Sequence, residues 1–272
     1  MSLTLAQITR ELLSAYGRFP RKRLGQHFLV DPKVLERILG ALQLNAEDLV
    51  IEIGSGLGVV TAEMAEKVNQ LIAIEIDKEL LKISQEVLSR FKNITFIAQD
   101  ILKTDLASLA QGKSYKVMGN LPYYITAPII QRILEAENKP ELAVLMTQKE
   151  VAERMAAAPG SKQYGSFSIF VQYYADVRID SLVSKSSFHP WPEVSSAIVV
   201  LKPYKTLPFM VRDQKLFFDL VHAAFQQRRK KIRNSLDEYN LENSGVDLNQ
   251  RPEQLTISDF ARLANFIAAQ KP

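Results

Sequence analysis

The chain of 272 residues contains no cysteine, which excludes disulfides, a thiolate nucleophile and cysteine metal sites. Its three histidines, His27, His189 and His222, are scattered along the chain and offer no metal-ligand spacing. No apolar run approaches the roughly 18 residues of a membrane helix. The first residues, MSLTLAQITRELLSAYGRFPRKR, lack the charged start, apolar middle and small-residue cleavage site of a secretory signal. A soluble, cytoplasmic protein without a membrane segment or a metal is therefore the expectation.

What remains is a balanced composition, 47% hydrophobic and 24% charged, sufficient for one large domain and a small one. The net charge of +4 is unevenly spread. Seven Lys/Arg against two Asp lie between Arg212 and Arg233, among them Arg228, Arg229, Lys230, Lys231 and Arg233. A second cluster is Arg21, Lys22 and Arg23. Such patches suit a polyanion such as nucleic acid, and equally a solvated helix face.

From Leu49 onward, LVIEI (49–53), LIAIEI (71–76), ITFIA (94–98), YKVMG (115–119) and LAVLMT (142–147) alternate with helical patterns. Near-continuous apolar runs of this kind are strands of a parallel sheet covered on both faces, so the fold class is a doubly wound α/β domain. YGSFSIFVQYY (164–174) fits helical spacing. VRIDSLV (177–183) and SSAIVVL (195–201) suit two last strands, and KPYKTLP (202–208) a linker. Beyond it, a stripe of Leu216, Phe217, Leu220, Val221, Ala224 and Phe225 follows a candidate N-cap at Asp213. A final helix from Ser258 buries Phe260, Leu263, Ala264 and Ile267. The expected organisation is an extension at 1–20, a Rossmann-like domain at 21–203 and a small all-α domain at 204–272. The extension reads either as a helix packed on the domain or as a mobile RNA-contacting arm.

The first strand enters EIGSGLG, with glycines at Gly54, Gly56 and Gly58. A dinucleotide fingerprint would place its third glycine at Val59, which weakens a nicotinamide reading. Glu75 stands at the end of the second strand, 21 residues after Gly54, and Asp100 at the end of the third. A carboxylate at the first position suits two ribose hydroxyls, and one at the second an adenine amino group. A tight turn and two exposed loop acids are the plainer alternative. The combination resembles class I S-adenosylmethionine-dependent methyltransferases, and the resemblance assigns Gly54 and Gly56 to the methionine part, Glu75 to ribose and Asp100 to adenine.

The fourth strand delivers GNLPYYITAP (119–128). Pro122 biases Leu121 to an extended conformation. Asn120 and the Leu121 carbonyl then make two neutral acceptors for the two hydrogens of an exocyclic amine. Tyr123 is expected to stack on the base and Tyr124 to pack in the core. Capping by Asn120 and packing of both tyrosines is the structural alternative. GQHFLVD (25–31), EIGSGLG, EID, QDI, GNLPYYI, FHPWPEVSSAIV (188–199) and FQQRRKKIRNSL (225–236) occur in that order. Together they closely resemble the KsgA family of small-subunit rRNA adenine N6,N6-dimethyltransferases, from about Arg21 to the end. The resemblance implies dimethylation of two adjacent adenosines near the 3′ end of 16S rRNA, in an immature small subunit, by a protein that need be no more than a monomer. It places Gln26, His27, Leu29, Ile101 and Asn120 at the cofactor, with His27 where most members carry Asn. It stacks Phe188 on the flipped base, and gives RNA contacts to the two basic clusters and an RNA-binding role to residues 204–272. A large-subunit rRNA methyltransferase, and an assembly or transcription factor with little catalysis, are the competing readings.

Overall fold

Every residue of Leu49–Ile53 is buried, and because alternate strand residues point to opposite faces, both faces of the sheet are covered at this strand. The computed structural model describes residues 3–21 and 24–270; Lys22 and Arg23 lie outside the described residues. The chain forms two compact units, one running up to Ala152 and resuming over Arg178–Pro203, the other made of Glu153–Val177 and the chain from Tyr204.

The strands are β1 (Phe28–Leu29), β2 (Leu49–Ile53), β3 (Gln70–Glu75), β4 (Ile94–Ala98), β5 (Lys116–Asn120), β6 (Leu142–Gln148), β7 (Ala175–Val183), β8 (Phe188–His189) and β9 (Ser196–Pro203). The first unit carries helices α1 (Leu5–Ala15), α2 (Pro32–Leu42), α3 (Val59–Ala65), α4 (Lys78–Val87), α5 (Leu106–Ala110) and α6 (Thr126–Glu135), and α7 (Lys149–Met155) runs across the division. Seven strands form one sheet in the order β4-β3-β2-β5-β6-β9-β7, and β1 and β8 form a separate pair. Strands β2 to β6 are parallel to their neighbours, and β9 runs antiparallel to β6.

This order creates the site. The chain steps outward from β2 through β3 to β4, then returns to lay β5 on the other side of β2. A crevice opens beyond the carboxyl ends of strands where the order reverses. Ile53 of β2 pairs with Ile74 of β3 on one side and with Gly119 of β5 on the other, so Gly54, Glu75 and Asn120 emerge together at one edge. The described part of the N-terminal segment packs on the domain through a helix rather than forming a free arm: α1, capped by Thr4, sinks Leu13 among Phe28, Leu57, Leu80 and Ile83.

The second unit holds α8 (Ser166–Tyr174), α9 (Gln214–Gln226), α10 (Ile232–Ser235) and α11 (Ile257–Ala268). Asp213 caps α9 by accepting from the Leu216 N–H at 2.9 Å. Sequence pattern alone leaves 153–177 inside the sheet domain, but the structure groups it with the C-terminal helices. Aromatic packing explains this, with Tyr173 5.0 Å from Phe217 and 5.2 Å from Phe218 between ring centroids. Two further differences are local. Strand β9 continues to Pro203, taking the start of the expected linker, and α11 begins at Ile257, behind a capping box of Thr256 and Asp259.

Within β2, Glu52 is 2% exposed and accepts from the Thr61 hydroxyl at 2.6 Å. Burial pushes its carboxyl up to about 7, the Thr61 bond opposes this, and the charge of Glu75 adds to it. A folded-state value above the unfolded one means that the stability Glu52 contributes is complete below the ordinary carboxylate range and is lost as pH rises through about 7. We expect Glu52→Gln, which keeps an acceptor for Thr61, to remove about 3 kcal/mol of the stability decline between pH 4.5 and 7. Urea unfolding at pH 4.5 and 8 checks this; an identical decline in both proteins would refute the buried proton.

Candidate active site

The crevice is lined by Gly25, Gln26, His27, Gly54, Gly56, Glu75, Asp100, Ile101 and Asn120, together with Phe28, Ile76, Gln99, Pro122 and Tyr124 among others. The structure therefore brings together all the expected cofactor-side residues except Leu29. Leu29 is 4% exposed, packs in the core and pairs with Phe188 across β1 and β8.

Local backbone chemistry explains the shape. Gly54 has φ +77°, and a Cβ there would lie 3.4 Å from the Asn120 carbonyl oxygen. A side chain would be strained and would crowd the point where the two strand ends meet. Gly58, also at positive φ (+81°), caps α3, and a Cβ would come within 2.7 Å of Leu88. Close packing on α4, rather than a dinucleotide, accounts for the third glycine at this position.

Glu75 is 7% exposed and clamped from the backbone, one oxygen accepting from Gly56 N–H and the other from Asp77 N–H, both at 2.9 Å. Burial holds its carboxyl above the ordinary range, while these N–H groups pull it down. Each oxygen keeps a further acceptor direction. Asp100 accepts from Leu102 N–H at 2.9 Å through one oxygen and lines the crevice. Gln26 bridges, its amide donating to Asp77 at 3.0 Å and its oxygen accepting from Arg21 N–H at 2.8 Å. A cradle at two glycines, a fixed carboxylate and a second acid at the next strand end fit a nucleoside cofactor.

The Asn120 amide nitrogen donates to the His27 carbonyl at 3.0 Å, which fixes the amide plane. Leu121 N–H donates to Met146 at 3.0 Å, and the Pro122 carbonyl accepts from the Thr126 hydroxyl at 3.0 Å. The motif is thus anchored on both sides. The His27 ring donates through Nδ1 to the Pro190 carbonyl at 2.8 Å. This changes what the imidazole can do: with Nδ1–H committed, Nε2 of the neutral ring is an acceptor and donates to a carboxylate only when protonated.

The aromatic assignments need correcting. Tyr124, expected to pack, is 59% exposed and lines the crevice. Tyr123 is half-buried, with its hydroxyl 2.9 Å from the Ser196 Oγ and its ring stacked on His27 at 5.8 Å and 24°. Phe188, expected against the flipped base, is 2% exposed in the core beside Leu29 and Val34. The cause is the β1–β8 pairing, which turns it inward. Sequence reasoning also missed Ile76. It continues an apolar run, but β3 ends at Glu75 and leaves Ile76 50% exposed beside the crevice, an apolar wall next to Glu75.

A family model described as ribosomal RNA adenine dimethylase matches residues 18–269. The chain belongs to the ribosomal RNA adenine dimethylase family. Relatives of this family named ribosomal RNA small subunit methyltransferase A include one from Clostridium botulinum, 41% identical over 95% of this chain and 98% of its own length. Another, from Bacillus pumilus, is 41% identical over 95% of each. Among solved structures, a dimethyladenosine transferase from Plasmodium falciparum matches at TM-score 0.78 and 26% identity, covering 89% of this chain and 98% of its own. The 23S rRNA methyltransferase ErmE matches at 0.73 and 25%, covering 89% and 99%.

For a dimethylase, the basic residues matter next, and they divide. Arg229, Lys230, Lys231 and Arg233 are exposed around the start of α10. Arg228 instead pairs with Glu253 at 2.7 Å and donates to the Lys162 carbonyl at 2.8 Å, a tie within its own unit. Arg21 lies 3.3 Å from Asp77. Among the described residues, no group of three or more His, Asp or Glu is placed to hold a metal, and no helix is long and apolar enough to cross a membrane.

Proposed function

We propose that this dimethylase family member transfers methyl groups from S-adenosylmethionine to the N6 atoms of two adjacent adenosines near the 3′ end of 16S rRNA, acting as a cytoplasmic monomer on an immature small subunit. The observation that carries the reading is the anchored Asn120 amide at the mouth of a crevice that fits a nucleoside. Glu75 accepts the ribose hydroxyls, Asp100 with Ile101 receives the adenine, and Gln26, His27, Gly54 and Gly56 border the methionine part. When bound, the cofactor supplies an electrophilic methyl group on a sulfonium.

The remaining work is alignment by the chain. Donation of the Asn120 amide N–H to the His27 carbonyl leaves Oδ1 to accept one N6 hydrogen of the substrate adenine, and the Leu121 carbonyl accepts the other. Holding both hydrogens turns the nitrogen lone pair out of conjugation with the ring and toward the methyl group, which both frees and aims it. No strong base is required, because the proton becomes acidic once the nitrogen is methylated. Tyr124 stands exposed at the mouth and offers a ring for stacking, while Tyr123, stacked on His27, backs the site from behind.

Residues 204–272 supply phosphate contacts through their exposed cations. Replacing both Arg229 and Lys230 with Ala should lower RNA affinity without regard to sequence and reduce the slope of log K against log salt by about 2. An unchanged slope would remove these two residues from the RNA interface. The decisive assay offers unmethylated small and large subunits with labelled cofactor and maps the modified base. Label confined to adjacent adenosines of the small subunit is expected. Label only in the large subunit would favour the other rRNA specificity, and none in either would favour a non-catalytic assembly role.

A further inference from the structure

Trp191 is the chain's only tryptophan and is 71% exposed, while Phe188, three residues earlier, is 2% exposed. A single exposed aromatic residue is ordinary on a protein surface. What sets this one apart is how it is held. Its neighbours Pro190 and Pro192 each have a fixed φ. The Pro190 carbonyl accepts from the His27 ring at 2.8 Å, the Glu193 carbonyl accepts from the Lys185 ammonium, and the Ser195 carbonyl accepts from Lys149 N–H at 3.0 Å. Three external ties in six residues pin a segment whose only aromatic side chain points into water.

The place is as telling as the rigidity. His27 lines the cofactor crevice, stacks on Tyr123 and passes its own carbonyl to the amide of Asn120. The same residue therefore fixes the amide that orients the substrate nitrogen and the backbone from which Trp191 projects. Unpaired RNA is recognised by stacking its bases on aromatic side chains, and a preorganised indole loses little entropy in doing so. The expected stacking residue of this segment, Phe188, is committed to the core, so the flat surface it offers to solvent is Trp191.

We propose that Trp191 stacks on an unpaired base flanking the target adenine and so holds the RNA strand across the crevice mouth. This rests on the reading of the chain as an rRNA adenine methyltransferase, and its test separates the two. Because the tryptophan is unique, fluorescence excited at the red edge, beyond the absorption of the tyrosines, reports on this residue alone. Titration with a single-stranded RNA oligomer containing adjacent adenosines should quench it saturably, and a blunt RNA duplex should not. Steady-state methylation of unmethylated small subunits should show Trp191→Ala raising the KM for the subunit ~10-fold, with kcat and cofactor affinity within about twofold of wild type, and Trp191→Phe restoring most of the loss. Absence of quenching, equal quenching by duplex, or an unchanged KM in Trp191→Ala overturns the assignment. A wild-type protein that labels no subunit overturns the methyltransferase reading instead, and the fluorescence titration still decides whether Trp191 meets RNA.

Discussion

Asn120→Ala will lose ~10²–10³-fold in kcat on unmethylated small subunits while changing cofactor affinity by no more than about threefold. The magnitude follows from what the side chain does. Its amide is fixed by donation to the His27 carbonyl at 3.0 Å, so its acceptor is in place before substrate arrives, and a preorganised dipole of this kind contributes through orientation that water cannot imitate. Asn120→Asp sharpens the test. It keeps an acceptor but has no amide hydrogen for His27, and it sets a carboxylate against a carbonyl oxygen. We expect it to fall nearly as far as alanine. Rapid-mix methylation with equilibrium cofactor binding measures both quantities. Wild-type turnover in Asn120→Ala would end the alignment mechanism, and full turnover in Asn120→Asp would show that the anchor to His27 is unnecessary.

Much of the site was legible because the chain announces it at strand ends. The runs that become β2, β3, β4 and β5 are mostly apolar, and a glycine or polar residue at or just past the end of each lines the crevice: Gly54, Glu75, Asp100 and Asn120. Side-chain direction was harder to read. Tyr123 and Tyr124 are adjacent and chemically alike, and only the short helical turn over Tyr123–Ile125 decides which of them faces Ser196 and which faces the crevice. Phe188 belongs to a motif that resembles a base-stacking one, yet its orientation depends on pairing with Leu29, 159 positions earlier in the chain. Long-range pairing of two-residue strands leaves no periodic signature. The membership of 153–177 in the helical unit was hidden for the same reason, because its aromatic partners Phe217 and Phe218 lie across an intervening strand region.

Basic residues were the least legible. A run such as Arg228-Arg229-Lys230-Lys231 reads as one charge patch, but the structure spends Arg228 on Glu253 and leaves the next three exposed. Composition gives the sum of charge, whereas function depends on which cations remain available to a phosphate.

Glu75→Ala will weaken cofactor binding by ~10²-fold, with a smaller effect on the kcat reached at saturating cofactor. Two charge-assisted hydrogen bonds to ribose would disappear, each worth about 1.5–3 kcal/mol, offset in part by the water that enters. The backbone N–H groups of Gly56 and Asp77, each 2.9 Å from a Glu75 oxygen, would also lose their acceptor and with it the set of the glycine loop. Glu75→Gln separates these effects. It preserves size but must turn its NH₂ toward one of those two backbone donors, so we expect a loss of the same order, not a rescue. Acidity offers an independent check. Burial raises the Glu75 carboxyl above the ordinary range, so the folded protein takes up this proton at a higher pH than a free carboxylate does. The protonated acid accepts less well from ribose, and the affinity advantage of wild type over Glu75→Gln should therefore shrink as pH falls through that raised range. Isothermal titration of the cofactor between pH 5 and 8 measures the ratio. A constant ratio would show that the Glu75 charge is not what holds the ribose, and a Glu75→Gln protein with wild-type affinity would remove the residue from the cofactor site.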